Sequence, residues 1–215
     1  MQTSVEFFDR QFSNQVQRSQ YELNPFELMT RPYLVGQILD FGCGLGNLSI
    51  AAAEDGCQVL ALDAAPTAIA NLQKVASERA LPITASEADL RCYRIDASFD
   101  AVVSIGLLMF FDRATAFGQL AQLKKSVRVG GIASVNVLIE GTTFLDMFDP
   151  ACYCLFGRNE LKNAFDGWEV LVESFDDFEA PRGTVKRFAT VVARRKAKVT
   201  ATGKCALASW RSAPA

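Results

Sequence analysis

The stretch Gln37-Ile38-Leu39-Asp40-Phe41-Gly42-Cys43-Gly44-Leu45-Gly46-Asn47 decides the fold. It opens with a short apolar run, 37–41, that leads into glycines, and an alanine-rich stretch with the composition of a helix, 47–55, comes next. A strand that passes through a glycine turn into a helix is typical of the repeating unit of open α/β sheets. The segment therefore predicts the first strand, turn and helix of such a sheet.

The same succession of strand and helix continues along the chain. The predicted strands are 37–41, 58–63, 83–86, 99–105 and 132–138, and the predicted helices are 47–55, 66–79 and 112–126. Helices between successive strands imply parallel pairing. Two further strand patterns, 168–178 and 184–194, are joined by only five residues, which predicts an antiparallel hairpin. The expected fold class is α/β, a Rossmann-like, doubly wound, mostly parallel seven-stranded sheet with this antiparallel C-terminal hairpin.

The chain divides into three parts, 1–36, 37–195 and 196–215. In the first part, apolar residues at spacings of three and four predict an amphipathic helix over 4–20, which the pair Asn24-Pro25 then breaks. The second part is the α/β domain. The third part is rich in Lys, Thr, Ala and Ser and has no strand or helix pattern, so we expect a disordered tail.

Composition argues against several classes of protein. Half of the 215 residues are apolar, without a long apolar run or a basic and apolar leader, so we expect one cytoplasmic globular domain with no membrane partner. A net charge of −2 offers no attraction to nucleic acid. The six cysteines form no C-x-x-C pair, which favours reduced thiols over disulfides or structural zinc. Histidine, the commonest general base and metal ligand, is absent, and we predict no metal.

The glycine turn has the chemistry of a ligand site. Gly42 and Gly44 let the backbone approach a ligand closely, and the helix that follows directs free amides to the same place. Asn47 stands where the dinucleotide fingerprint requires glycine, so pyrophosphate binding is the weaker interpretation. We expect Asp40 either to steady the turn or to face a cationic group. A tight turn with a purely structural role is the alternative for the whole motif.

Carboxylates follow the next two predicted strands. Asp63 lies 19 residues after Gly44, the distance at which such folds place an acid on ribose hydroxyls, although this acid also fits NAD or a helix cap. Asp89 follows the third strand and can accept a hydrogen bond from an adenine amino group while Leu90 covers the ring. Glu87 is a neighbouring alternative for this contact.

These motifs resemble the class I S-adenosylmethionine-dependent methyltransferases. The matching stretches are 38–44, Asp63, Leu107-Leu108-Met109-Phe110 and Val129-Gly130-Gly131. The resemblance implies a methyltransferase domain over 37–195, a helical cap over its active site from 1–36, and S-adenosylmethionine as the cofactor. The residues that we predict to bind the cofactor are Asp40, Gly42, Cys43, Gly44, Asn47, Asp63, Ala64, Asp89, Leu90, Ser104 and Gly106.

Three shorter stretches, Glu160-Leu161, Gly167-Trp168-Glu169 and Arg187-Phe188-Ala189-Thr190, resemble the tellurite-resistance methyltransferases. This narrower resemblance implies a small acceptor that is soft or anionic, such as a tellurite- or selenite-like oxyanion or a thiol. An acceptor with a free lone pair needs no proton removed before it attacks, which agrees with the absence of histidine.

The resemblance also singles out side chains for the acceptor. Arg187 lies in a matched stretch and is the predicted catalytic residue, holding an anionic acceptor. Arg182 and Lys186 lie beside it, and a solvated strand edge explains them equally well. Thiolates of Cys152 and Cys154 would suit a metalloid, but alternating cysteines are more often small buried residues, and we do not predict a metalloid site.

Two other functions stay open at this point. An NAD(P)-dependent oxidoreductase would share the sheet and Asp63, but Asn47 and the lack of a histidine or a Tyr-x-x-x-Lys pair argue against it. A non-catalytic module that binds S-adenosylmethionine is the second alternative, and product formation distinguishes it. Methylation of nucleic acid is disfavoured because the fourth strand ends in 104–107 without a Pro-Pro-aromatic signature.

Overall fold

The computed structural model describes residues 4–197, so nearly all of the predicted tail lies outside the described residues. Seven strands form one mixed sheet. The strands are β1 Gln37–Phe41, β2 Gln58–Asp63, β3 Ile83–Glu87, β4 Phe99–Ile105, β5 Val127–Leu138, β6 Glu169–Ala180 and β7 Thr184–Arg194. The helices are α1 Ser4–Gln17, α2 Pro25–Thr30, α3 Asn47–Glu54, α4 Pro66–Glu78, α5 Arg113–Ser126 and α6 Glu160–Ala164.

The strand order is β3-β2-β1-β4-β5-β7-β6. Strands β1 to β5 pair in parallel, whereas β7 is antiparallel to both β5 and β6. The chain thus moves outward from β1 to one edge, returns, and continues from β4 to the other edge, which is the order of a doubly wound sheet. This confirms the predicted Rossmann-like fold and its antiparallel C-terminal hairpin.

Two apolar clusters cover the two faces of the sheet. One joins sheet residues such as Phe41 and Val102 to Leu120 and Leu123 of α5, and the other joins Ile38 and its neighbours to α3 and α4. β1 lies at the centre, where all residues after Gln37 are buried. A strand covered on both faces needs apolar side chains in succession, which explains why its sequence does not alternate.

The segment after α1 differs from the prediction. α1 ends at Gln17, and the pair Asn24-Pro25, which we predicted to break a helix, begins α2. The Asn24 side chain accepts hydrogen bonds from Phe26 N at 2.9 Å and Glu27 N at 3.0 Å. Glu27 Oε2 in turn accepts from Asn24 N at 2.7 Å, which completes a capping box with proline at the first helical position. The prediction was wrong because a breaker and a helix start share these residue types.

Other differences lie at strand ends and in short helices. β5 begins at Val127, five residues before the predicted start at 132, because Val127 pairs with Phe99 before an irregularity in the ladder. α6 and a helical turn at Leu108–Phe110 follow no recognisable periodicity and were not predicted. Elements of three to five residues contain too few apolar positions to define a period.

Gly46 should be far less tolerant of a side chain than Gly56, although both have left-handed backbones with φ of +74° and +93°. A Cβ on Gly46 would come within 2.5 Å of buried Leu72, whereas nothing lies within 4 Å of one on Gly56. We expect Gly56→Ala to lower the free energy of unfolding by about 1–2 kcal/mol through backbone strain. Gly46→Ala should lower the free energy of unfolding by roughly 1–3 kcal/mol more than this, because the added methyl group overpacks the site. Urea denaturation measures both, and equal losses would show that Leu72 repacks freely.

Candidate active site

Two adjoining cavities form a trough at the carboxyl edge of the sheet. The central cavity, of about 520 Å³, is lined by 42–45, 105–107, Asn136, Lys186 and Phe188, among others. The lateral cavity, of about 490 Å³, extends toward β3 and is lined by the ends of β2 and β3 and by the segment that follows β3. Four residues line both cavities: Phe8, Asp63, Leu107 and Phe110.

The glycine loop after β1 forms the floor where the two cavities meet. Gly42 and Gly44 have φ of +88° and +52°. A Cβ on Gly42 would lie 2.9 Å from Leu107, and one on Gly44 would lie 3.1 Å from the ring of Phe12. Side chains here would fill the cavity mouth, so the loop fits a ligand that must lie close to the backbone, such as the predicted cofactor.

Asp63, at the end of β2, holds this loop in place. Its Oδ2 accepts a hydrogen bond from Gly44 N at 2.8 Å, and its Oδ1 accepts from Ala65 N at 2.9 Å, just before α4. Burial raises the pKa of the Asp63 carboxyl, and these amide hydrogen bonds act in the opposite direction. Asp63 thus lies between the cavities, where the sequence predicted an acid for ribose hydroxyls.

Asp40 lies beneath the loop and lines the central cavity. Its side chain is buried, and Oδ2 accepts a hydrogen bond from Ser49 Oγ of α3 at 2.6 Å. Burial raises the pKa of the carboxyl to about 6, and the charge of Asp63 adds to the rise. The sequence left open whether Asp40 steadies the turn or faces a cation. In the structure it bonds to α3 and also borders the cavity.

The other predicted cofactor residues, with one exception, line the trough. Cys43, Asn47 and Gly106 line the central cavity. Ala64, Asp89 and Leu90 line the lateral cavity.

Asp89 also forms an ion pair with Arg91 at 2.7 Å. The exception among the predicted residues is Ser104, which is fully buried within β4 and lines neither cavity. The side chain of the next residue, Ile105, borders the central cavity instead, because successive residues of a strand face opposite sides.

The structure corrects the choice of Arg187 as the acceptor-holding residue. Its side chain is exposed, with Nε 3.3 Å from Asp177 Oδ2, and it lines neither cavity. Lys186 and Phe188, the two neighbours in β7, line the central cavity because alternate residues of a strand share a face. Arg182 is exposed and pairs with Asp146.

Lys186 has an unusual environment for a lysine. Burial lowers the pKa of its amine, and Nζ lies 4.8 Å from the centre of the Phe144 ring. The cysteines considered for a metalloid are separate from this group: Cys152 lines the lateral cavity, and burial raises the pKa of the Cys154 thiol to about 11. Within 4–197, no group of three or more His, Cys, Asp or Glu is arranged to hold a metal ion.

Sequence reasoning missed two polar groups of the central cavity. Glu27 of α2 and Asn136 of β5 both line the central cavity. Burial raises the pKa of Glu27 to about 7, and the charge of Asp40 adds to this. The capping pattern that begins at Asn24 was a usable signal for α2. Nothing in the local sequence of β5 distinguishes Asn136 from the apolar residues on either side.

α1 contributes side chains to the wall of the trough. Phe7, Phe8 and Phe12 of this helix line the central cavity. The Asp9 carboxylate anchors the helix to the start of α4, where it accepts hydrogen bonds from Thr67 N at 2.9 Å and Thr67 Oγ1 at 3.1 Å. Aromatic rings of α1 therefore form part of the lining of the site.

Comparison with known proteins gives a family. Residues 12–186 match the family described as tellurite resistance protein TehB. The probable S-adenosyl-L-methionine-dependent methyltransferase TehB of Haemophilus influenzae is 28% identical over 167 residues, which cover 74% of this chain and 57% of that protein. The cypemycin N-terminal methyltransferase of a Streptomyces species is 36% identical over 121 residues, covering 56% of this chain and 45% of that protein.

The solved structures agree with this relationship. The crystal structure of TehB from Haemophilus influenzae superposes with a TM-score of 0.72 at 22% identity, over 85% of this chain and 65% of that chain. The chain thus spans a little over half of the curated TehB relative.

The N-methyltransferase NodS of Bradyrhizobium japonicum, solved with S-adenosyl-l-homocysteine, shares the same fold with a TM-score of 0.67 at 14% identity, over 90% of this chain and 99% of that chain. The chain belongs to the tellurite resistance protein TehB family. The predicted family is confirmed. Within 4–197, no helix has the length and apolar composition that crossing a membrane requires.

Replacing Asp40 with asparagine should change how stability depends on pH. The carboxyl pKa of Asp40 is about 6 in the folded protein against 3.8 ordinarily, so the folded state binds more protons between these values. The stability that Asp40 contributes is therefore lost as the pH rises through about 6. Relative to Asp40→Asn, we expect the free energy of unfolding of the wild type to fall between about pH 4 and about pH 8.

Asp112→Asn is the control, because the pKa of the Asp112 carboxyl is lowered by hydrogen bonds from Thr115. Its contribution should be lost only as the pH falls below about 4, so the difference between wild type and Asp112→Asn should stay constant between about pH 4 and about pH 8. Urea denaturation across this range measures all three proteins. A difference between wild type and Asp40→Asn that does not vary with pH would contradict the argument.

Proposed function

We propose that this protein transfers the methyl group of S-adenosylmethionine to a small acceptor bound in the central cavity. The position of Asp63 supports the proposal most, because it joins the glycine loop to the start of α4 between two cavities. Adenosine would extend from Asp63 into the lateral cavity toward Asp89 and Leu90, and the acceptor would enter the central cavity from the other side.

The residues around the trough suit this reaction. The cofactor supplies an electrophilic methyl group on a sulfonium that loses its positive charge as the methyl leaves. Asp40, beneath the glycine loop, supplies negative charge for the cationic part of the cofactor. Phe8, Phe12 and Phe110 line the central cavity with apolar rings, which would displace water from the reacting atoms and limit the directions from which the acceptor can approach.

The charged side chains of the central cavity bear on which acceptor is methylated. The sequence led us to expect a soft or anionic acceptor, and Lys186 is the cationic side chain among the described residues that line the central cavity. The carboxylates that line the same cavity are those of Glu22, Glu27, Asp40 and Asp63. This balance favours an uncharged or basic acceptor over an oxyanion. The acceptors named for the relatives also differ, because one relative is called the cypemycin N-terminal methyltransferase.

Asp63→Ala should weaken cofactor binding. The loss of a charged hydrogen-bond acceptor for ribose is worth about 1.5–3 kcal/mol, or roughly 10- to 150-fold in the dissociation constant. Calorimetry with S-adenosylhomocysteine measures the affinity, and circular dichroism checks that the variant is folded. Asp55→Asn, an exposed residue paired with Arg31, is the control and should bind like the wild type. Unchanged affinity in Asp63→Ala would refute this role.

A screen with labelled S-adenosylmethionine and amines, thiols, tellurite and selenite tests catalysis itself. Transfer of label to a small acceptor is the expected result. Binding of S-adenosylhomocysteine without any transfer would favour a non-catalytic module. Tighter binding of NAD than of S-adenosylhomocysteine would favour an oxidoreductase.

A further inference from the structure

We propose that the acceptor is a primary or secondary amine, which Glu27 and Asn136 bind as its ammonium ion at the α2 side of the central cavity. Glu27 is then also the group that takes the proton from the amine. This inference rests on the proposed methyl transfer and names the substrate class for the same site.

The first argument is the negative charge in the central cavity that a bound cofactor would leave unpaired. Asp40 and Asp63 border the glycine loop and belong to the cofactor half of the trough. Glu27 comes from α2 and lines the same cavity. Among the described residues, none of these three carboxylates forms an ion pair with lysine or arginine, so a cationic ligand would meet an uncompensated negative charge.

The second argument is the hydrogen bonding of Glu27. Oε2 accepts from Asn24 N at 2.7 Å, which fixes the side chain against the start of α2. Within the part of the chain that the structure describes, Oε1 accepts no hydrogen bond from a protein donor. Burial raises the pKa of this carboxyl to about 7, so its proton affinity near neutral pH is that of a general base. One oxygen of a positioned, partly buried acid therefore remains for a ligand.

The third argument is independent of the acids and comes from Asn136. Its side chain is 0% exposed and lines the same cavity. Nδ2 donates to Thr190 Oγ1 at 2.8 Å, which holds the amide, while Oδ1 has no partner among the described residues. Buried carbonyl oxygens are rarely left without a donor. A ligand N–H would satisfy Oδ1, whereas a fully deprotonated oxyanion, which has only acceptors, would not.

The walls of this part of the cavity also suit an organic cation. Phe26, Phe144 and Phe188 line it, and the Phe26 and Phe188 rings lie 4.7 Å apart. Aromatic faces attract cations, and the ammonium group of Lys186 already lies over Phe144. An amine with an apolar body would place its charge between Glu27 and Asn136 and its carbon atoms against these rings.

The reaction balances with these groups. The bound ammonium ion first gives one proton to the Glu27 carboxylate, which frees the nitrogen lone pair. The lone pair forms the C–N bond as the C–S bond of the sulfonium breaks, and the electrons of that bond stay on sulfur. The product is a methylated ammonium ion beside neutral S-adenosylhomocysteine, and Glu27 passes its proton to water. No other co-reactant is needed, and no histidine is involved.

Binding without turnover tests the inference. The probe is 2-phenylethylamine, titrated by calorimetry into the full chain saturated with S-adenosylhomocysteine, with 2-phenylethanol as its uncharged counterpart. The amine should bind at least about tenfold more tightly than the alcohol, because a charge-assisted hydrogen bond to Glu27 is lost in the alcohol. Equal affinities would overturn the proposal, as would selenite binding more tightly than the amine.

Glu27→Gln identifies the residue responsible. Glutamine keeps the capping box, so α2 should fold, while the negative charge is removed. We expect this variant to lose roughly tenfold or more in amine affinity and to keep its affinity for S-adenosylhomocysteine. Glu78→Gln, an exposed residue of α4, is the matched control and should bind the amine like the wild type. Amine affinity unchanged in Glu27→Gln would refute the assignment.

The pH dependence of binding separates a charge effect from a change of shape. The other ionisable groups that line the central cavity with Glu27 are Cys43, Glu22, Asp40, Asp63 and Lys186. Wild-type amine affinity should fall as the pH drops through about 7, where Glu27 gains a proton. The amine affinity of Glu27→Gln should not change near pH 7. It should change only near pH 6, where Asp40 gains a proton. The same step in both proteins would contradict the role of Glu27.

Lys186→Met provides a test of opposite sign. An anionic acceptor would need this lysine, whereas an amine would be repelled by it, so amine affinity should be retained or increased in the variant. A loss of amine affinity would count against the inference. Failure of S-adenosylhomocysteine to bind the wild type would reject methyl transfer itself. If S-adenosylhomocysteine binds but the amine binds no more tightly than the alcohol, only the proposed class of acceptor is rejected.

Discussion

The rest of the site depends on the carboxylate of Asp63, which accepts hydrogen bonds from Gly44 N on one side and Ala65 N on the other. Glycines with left-handed backbones have many accessible conformations, and this acid selects one of them. The same contact fixes the start of α4 relative to the end of β1. Asp63 also lines both cavities, together with Phe8, Leu107 and Phe110.

The trough exists because of the order of the strands. β1 and β4 are neighbours in the sheet, but the chain leaves them in opposite directions, and a crevice opens where the two halves diverge. Buried carboxyl groups collect at this crevice, and burial raises the pKa of Asp40, of Asp63 and of Glu27. Each raised pKa means that ionisation at neutral pH destabilises the fold. Such an arrangement is typical of functional sites, and a cationic ligand would relieve it.

The antiparallel hairpin determines which side chains of β7 line the central cavity. β7 pairs with β5 in a register that sets Thr190 opposite Asn136 and Phe188 opposite Leu138. This register turns Lys186 toward the cavity and Arg187 toward solvent. A shift by one residue would exchange their faces, because the side-chain period of a strand is two. The chemistry of the acceptor end is thus a consequence of pairing between strands about fifty residues apart in the chain.

The sequence by itself determined β1, β2, β4 and β7, whose bounds agree with the prediction, and the glycine loop with the acids that border it. These features are local, since a continuous apolar run, a glycine turn and an acid at a strand end are all read within a few residues. Only the tertiary structure decided that Glu27 and Asn136 face one cavity and that Lys186 replaces Arg187 there. The reason is physical: which face of a strand or short helix lines a cavity depends on the elements that pack against it, and those partners are distant in the chain.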